Sequence, residues 1–264
     1  MTQTVPAALA ERRGNVLVIT INRPEARNSV NGAVSTAVGD ALEQAQNDDE
    51  VRAVVITGSG DKSFCAGADL KAISRRENLY HPDHFDWGFA GYVHHFIDKP
   101  TIAAVNGTAL GGGTELALAS DLVVAAESAI FGLPEVKVGL FAAAGGVFRI
   151  VHQLPRKVAL EMVLTGEPIS AAEAAKWGLI NQVVPDGTAL EAALALAERI
   201  TVNAPLSVQA SKRIAYGADD GVIPDEEPGW ARTAREFGTL LKSEDAKEGP
   251  LAFAEKRQPV WKAR

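Results

Sequence analysis

A chain of 264 residues with 47% hydrophobic side chains can bury a substantial core, as one large domain or as two. Its formal charge of −7, with no basic stripe, excludes a phosphate-neutralising surface and leaves small molecules, not nucleic acid, as the expected partners. The single cysteine, Cys65, excludes an intramolecular disulfide and a cysteine-built zinc site. No apolar run approaches a membrane span, and Met1 to Glu11 lacks the basic-then-apolar order of a secretory leader, so a cytoplasmic home with no membrane partner is expected.

In chain order, Val16 to Ile21 is a β-branched run closed by the turn chemistry of Asn22-Arg23-Pro24. From Ser29 as an N-cap, Val30, Val34, Val38 and Leu42 recur every four residues and mark the inward face of a helix. Val51 to Thr57 predicts a buried strand, Gly58 to Asp61 a turn, and Ser63 to Leu70 a loop entering another helix. Ile102 to Val105 is the next strand, with Thr114 to Ser120 its helix, and Leu122 to Ala125 and Ala129 to Phe131 supply short strands. Past residue 140 helical signals take over. Pro155 fits the first position of a helix that runs to Gly166, and Ser170-Ala171-Ala172-Glu173 is a capping box ahead of a helix stopped by Gly178. Alanine-rich helices are expected from about Thr188 to Ile200, Pro205 to Tyr216 and Trp230 to Leu241. The pattern is an α/β core, residues 1–200, and a helical region, residues 201–264, packed with it as one unit.

The stretch from Val105 to Leu116 carries the chemistry. It joins a strand to Gly111-Gly112-Gly113 at the expected start of a helix, places Glu115 just beyond, and is followed by Leu133-Pro134-Glu135. Glycines let a ligand approach the main chain, and the first N–H groups of a helix lack intrahelical partners and carry the positive end of its dipole. Such a turn either cradles a developing oxyanion or simply permits a tight corner; the two carboxylates favour the first. No Gly-Lys-Ser or Gly-Lys-Thr follows, so the loop is not a Walker phosphate cradle, and no Gly-x-Ser-x-Gly elbow occurs. Between Ser74 and Asp98 lie Tyr80, His81, His84, Phe85, Trp87, Phe89, Tyr92, His94 and His95. Acidic and cysteine partners at ligand spacing are weak there, so no metal is expected; the aromatics are expected to wall an apolar pocket, with His94 and His95 on a helix leading to the third strand.

Several motifs agree in order and spacing with one family. Arg23-Pro24-Glu25-Ala26-Arg27-Asn28, Phe64-Cys65-Ala66-Gly67-Ala68-Asp69-Leu70, Ala104-Val105-Asn106-Gly107 with the triple glycine, Leu133-Pro134-Glu135, and Gly145-Gly146 with Arg149 resemble the crotonase superfamily, the enoyl-CoA hydratase and isomerase group, from about residue 8 to the C-terminus. The resemblance implies a crotonase-type spiral of repeated ββα units, C-terminal helices that assemble homotrimers or homohexamers, and acyl-CoA thioester substrates with no further cofactor. It implies that the N–H groups of Ala68 and Gly112 bind the thioester oxygen, and that Glu115 and Glu135 are the catalytic acid and base. It also implies that Ala26, Ala66, Ala68, Asp69, Leu70 and Lys71, with Gly111, Gly112 and Leu140, line the substrate; Lys71 sits either close to a CoA phosphate or in solvent.

Double-bond isomerases of the group generally manage with the carboxylate at the Glu135 position, so Glu115 favours enoyl-CoA hydratase chemistry. The chain departs from the common pattern at Ala142 and Ala143, where proline and glycine are usual, at Phe148 in place of glutamine, and at Thr108 in place of tyrosine. The run from Ser243 to Arg257, Phe89-Ala90-Gly91 and Asp98-Lys99-Pro100 are similar to the carnitinyl-CoA dehydratase branch. A dehydratase or isomerase acting on an unusual acyl group, and an acyl-CoA-binding homologue without turnover, are the alternatives.

Overall fold

The computed structural model describes residues 5–264; residues 1–4, part of the N-terminal stretch considered above, lie outside it. β1 (Ala8–Arg13) and β2 (Val16–Ile21) form an antiparallel hairpin. Parallel strands then extend the sheet: β3 (Ala53–Gly58), β5 (Thr101–Val105), β7 (Leu122–Ala126) and β10 (Gln182–Val184), in the order β1-β2-β3-β5-β7-β10. After each of β3, β5 and β7 the chain steps into a second, smaller sheet through β4 (Ser63–Cys65), β6 (Thr108–Leu110) and β8 (Ile130–Gly132), which β9 (Ile169–Ser170) closes antiparallel. Helices α2 (Leu70–Ser74) and α3 (Gly112–Ala119) follow β4 and β6. One strand in each sheet and then a helix is the repeated ββα unit, wound into a spiral.

Burial on both faces explains the composition of the large sheet. In β3, Val54 and Ile56 enter the main core, whereas Ala53 and Val55 face the other way, onto Ala193 and Ala197 of α7 (Ala189–Thr201). Alanines four residues apart let that helix lie close to the strands. The main core is completed by α1 (Gly32–Asn47) and, past the catalytic-type loops, by α4 (Gly146–Gln153), α5 (Arg156–Thr165) and α6 (Ala171–Lys176). Of the C-terminal helices α8 (Pro205–Tyr216), α9 (Glu227–Leu240) and α10 (Asp245–Ala254), α8 is tied to the core by ion pairs, Lys212 with Asp121 and Arg213 with Asp98, both at 2.7 Å, whereas α9 packs Trp230 against it and α10 buries Ala252.

Several expectations need correction. The cap of α1 is Asn31, not Ser29: its side chain accepts from the Val34 N–H, while Val30 bridges to Ala68 outside the helix. Ser63 to Cys65, expected as loop, is a strand. His94 and His95 do not lie on a helix. They belong to an irregular stretch after two 3-10 turns, Phe85–Trp87 and Phe89–Gly91. His84 and His95 stack on opposite faces of Trp87, with ring centroids 3.9 and 4.0 Å away. His81 meets Asp40 and His95 meets Glu43, so this stack fastens the segment to α1. Trp87 can approach because Gly39 has no Cβ, which would stand 2.8 Å from the indole.

Core and cap differ in what they contribute. Phe131 of β8 is fully buried, so Phe131→Ala is expected to cost about 3–5 kcal/mol in equilibrium urea unfolding. Ser170 makes both halves of the capping box with Glu173, and Ser170→Ala is expected to cost only about 1 kcal/mol. The reverse ranking would contradict this account of the small sheet.

Candidate active site

The site forms where the loop after β4 meets the start of α3. Gly67, at φ +88°, places its Cα against the next unit: a Cβ there would stand 3.2 Å from the Gly112 nitrogen. Ala68 and Gly112 are thereby brought side by side. Neither N–H donates to an acceptor among the described residues. Gly112 opens α3, so its N–H has no intrahelical partner, and the helix dipole adds to its pull on negative charge. The Phe89 ring lies directly on Gly112, in the space a side chain would occupy.

The loop carrying Ala68 is braced from below. Asp69 caps α2 by accepting from the Lys71 and Ala72 N–H groups, and its other oxygen takes the Arg23 guanidinium at 2.8 Å. Burial works to raise the Asp69 carboxyl, but Arg23 and those two N–H groups hold it below the ordinary range. The Ala66 N–H donates to the Arg27 carbonyl, which ties this loop to the 3-10 turn Pro24–Ala26. Of the expected binding residues, Ala26, Ala66, Ala68, Asp69, Leu70 and Lys71 therefore share one pair of joined loops. The Asp69 side chain is committed to the scaffold, while Leu70 and Lys71 are exposed.

The carboxylates stand on the other side. Glu115, in the first turn of α3, is only 3% exposed; its Oε1 accepts from the Gly146 N–H at 2.9 Å, and the neighbouring Ala144 N–H also favours its charge. Glu135 lies on a 3-10 turn, Pro134–Val138, and its Oε1 would touch any Cβ placed on Gly111, at 3.0 Å. Its Oε2 is buried with no partner among the described residues. Leu140 donates its N–H to the Glu135 carbonyl, fixing the turn.

Burial pushes Glu115 up to about 8, with the Glu135 charge adding to the rise and the Gly146 and Ala144 N–H groups opposing it. Burial likewise pushes Glu135 up to about 7. Tyr80 closes the wall: burial raises its hydroxyl, and so does the charge of Glu115. Two free N–H groups and two carboxyls with raised proton affinity are thus gathered around the start of α3, an arrangement that can stabilise an oxyanion and move protons beside it. Sequence reasoning did not find the N–H donors of Ala144 and Gly146, or Phe89 as the cover of Gly112; the Gly145-Gly146 pair was their only visible trace.

Comparison with known proteins identifies the family. The family model for enoyl-CoA hydratase/isomerase matches residues 11–264. A carnitinyl-CoA dehydratase of Salmonella typhi is 46% identical over 256 residues, 96% of this chain and 97% of that protein. A crystal structure of a carnitinyl-CoA hydratase from Mycobacterium avium is 82% identical with a TM-score of 0.98, covering 99% of this chain and 100% of that one. An enoyl-CoA hydratase structure from Mycobacterium tuberculosis H37Rv is 45% identical with a TM-score of 0.77, covering 98% and 100%. The chain belongs to the enoyl-CoA hydratase/isomerase family, the crotonase superfamily.

Proposed function

We propose that this protein is a hydro-lyase that reversibly adds water across the 2,3 double bond of a 2-enoyl-CoA thioester. The observation that carries this reading is the buried pair Glu115 and Glu135 beside the two unengaged N–H groups of Ala68 and Gly112. The thioester oxygen accepts from those two N–H groups. As water adds at Cβ, electron density moves onto that oxygen, so the fixed donors act most strongly in the transition state. One carboxyl of the pair, ionised, takes a proton from the attacking water, and the other, protonated, delivers one to Cα. The pair begins and ends the step with one proton between them, and that proton returns from the carboxyl that took it to the one that gave it through solvent. Two coupled carboxyls with raised proton affinity suit this, because they hold one shared proton near neutrality.

Within this reading, Ala26, Ala66, Leu70 and Lys71 line the CoA portion and Gly111 and Leu140 the acyl portion, in a cytoplasmic homotrimer or homohexamer that needs no further cofactor. Exposed Leu206 and Ile214 on α8, and Phe253 on α10, support assembly through the C-terminal helices. A second reading keeps the chemistry and changes the acyl group to a carnitine-type chain. It is favoured by the similarity to a carnitinyl-CoA dehydratase at 46% identity and to a carnitinyl-CoA hydratase at 82%. Comparing kcat/KM for crotonyl-CoA, longer enoyl-CoAs and the carnitine-derived thioester, with mass spectrometry of products, separates the two.

Glu115→Gln and Glu135→Gln are each expected to lower kcat by about 100- to 10,000-fold, with the fold retained by circular dichroism. A purified protein that turns over none of these thioesters, or whose rate survives either substitution, would sink the proposal. Stability carries a separate expectation. Both carboxyls bind protons more tightly in the folded chain than in the unfolded one, so folding is favoured by protons and stability falls as pH rises from about 5 to about 8. Glu115→Gln removes part of that dependence. In urea unfolding at fixed protein concentration, its stability relative to the unsubstituted protein should rise across this range; a constant difference would show that Glu115 is not held protonated.

A further inference from the structure

One buried ion pair stands directly behind the catalytic-type carboxyl and is used by none of the steps above. Arg149 lies one turn into α4, the helix whose first N–H, that of Gly146, grips Glu115. Its side chain is 8% exposed. Nε and Nη2 donate to the two oxygens of Glu226, at 2.8 and 2.6 Å, in a fork-to-fork pair. Glu226 comes from the short turn Pro224–Glu226 ahead of α9, in the C-terminal region. The third nitrogen, Nη1, is buried with no partner among the described residues and lies against Gly145, where a Cβ would stand 3.0 Å from it. Trp230 of α9 presses on the same glycine, and its ring lies 5.2 Å from the guanidinium carbon. The turn that holds Glu115 is thus clamped between a cation and an aromatic ring, and the anion of that clamp is supplied by the C-terminal region.

We propose that Arg149 and Glu226 act as one positioning unit for Glu115: Arg149 fixes the Gly145-Gly146 turn, and Glu226 neutralises the cation so that Glu115 can keep a proton. The electrostatics follow from placement. A bare guanidinium one turn behind Glu115 adds to the positive end of α4 and favours the ionised carboxylate; a bidentate carboxylate on that guanidinium cancels much of its field. The other groups that face Glu115 are Glu135 from its 3-10 turn, the Tyr80 hydroxyl, and Cys65 of β4, whose thiol burial pushes up to about 12. None of them is a cation. Arg149 is therefore the positive group that matters, and its charge lowers the proton affinity of Glu115. Tyr92 and Tyr216 also feel Arg149, but both stay protonated because burial raises their hydroxyls. The pair deepens the hydro-lyase reading by saying what holds its proton-carrying residue in its working state.

The test is an infrared titration of the protonated carboxyl band of Glu115, assigned by its loss in Glu115→Gln. It is run on the full chain, the near-isosteric Glu226→Gln, Arg149→Met, and the double variant. Glu226→Gln exposes the cation and is expected to move the titration to lower pH; Arg149→Met is expected to move it to higher pH, each by more than about half a pH unit. The double variant should fall between them, and where the enzyme turns over, the pH profile of kcat/KM should move in the same directions. A merely structural pair would lower kcat without opposite shifts. If Arg149→Met fails to fold, Glu226→Gln decides alone: an unchanged or raised titration overturns the proposal. The readout needs no turnover. Opposite shifts in a protein inactive on every enoyl-CoA would sink the hydro-lyase reading alone, and an active protein without shifts would sink this inference alone.

Discussion

Everything in the site depends on keeping Glu115 buried where helix ends point at it. The carboxyl lies in the first turn of α3 and accepts an N–H from the first residue of α4. Two helix dipoles and the N–H groups of Gly146 and Ala144 therefore favour its charge, and burial opposes it. Burial prevails, with the neighbouring Glu135 acting in the same direction, and the carboxyl is pushed up to about 8. An environment with only the hydrogen bonds would hold a permanent carboxylate, unable to pass a proton. An environment with only burial would hold a permanent acid. The opposition of the two leaves the group near the pH at which both states are accessible.

The same compromise sets the backbone around it. Gly67 at φ +88° adopts a conformation that side-chain-bearing residues resist, and its bare Cα lets the Ala68 loop reach the start of α3. Packing then seals what the glycines open: the Phe89 ring covers Gly112, and its own segment is fastened to α1 by the His84, Trp87 and His95 stack. The histidines that look from sequence like a cluster in search of a ligand are hydrogen-bonded and stacked parts of this fastening.

What could be read from the chain and what could not divides along physical lines. Glu115, Glu135, Ala68 and Gly112 are tied to short motifs whose chemistry requires those residue types, and the structure brings all four to one place. β2, an unbroken β-branched run closed by Asn22-Arg23-Pro24, and α8, opened by Pro205, have strong local signals and were legible. Strands of three residues such as β4 and β6 have no period to detect, so Ser63 to Cys65 looked like loop. The start of α1 was misplaced because Ser29 and Asn31 are both good caps, and only tertiary pairing of Val30 with Ala68 decides between them. α4 begins at Gly145-Gly146, where helix propensity is lowest, so its role as donor to Glu115 was invisible. Arg149 stood in a motif, but Glu226, its partner 77 residues on, carried no local signal.

That last pair shows why the helical C-terminal region is more than a cover. Buried ion pairs are poor sources of stability, because desolvating two charges offsets most of their attraction. Asp121 with Lys212 and Arg149 with Glu226 are both of this kind, the side chains being 15% and 9%, and 8% and 19%, exposed. Apolar residues would hold α8 and α9 to the core at least as firmly. What a charge pair adds is a single permitted register, since a misplaced partner leaves a buried ion uncompensated. Glu226 can neutralise Arg149 only when the segment leading into α9 is docked, and Trp230 presses on Gly145 only in the same arrangement. The proton affinity of Glu115 is in this way conditional on the C-terminal region being in place. A carboxyl near the middle of the spiral thereby takes its working state from residues at the far end of the chain.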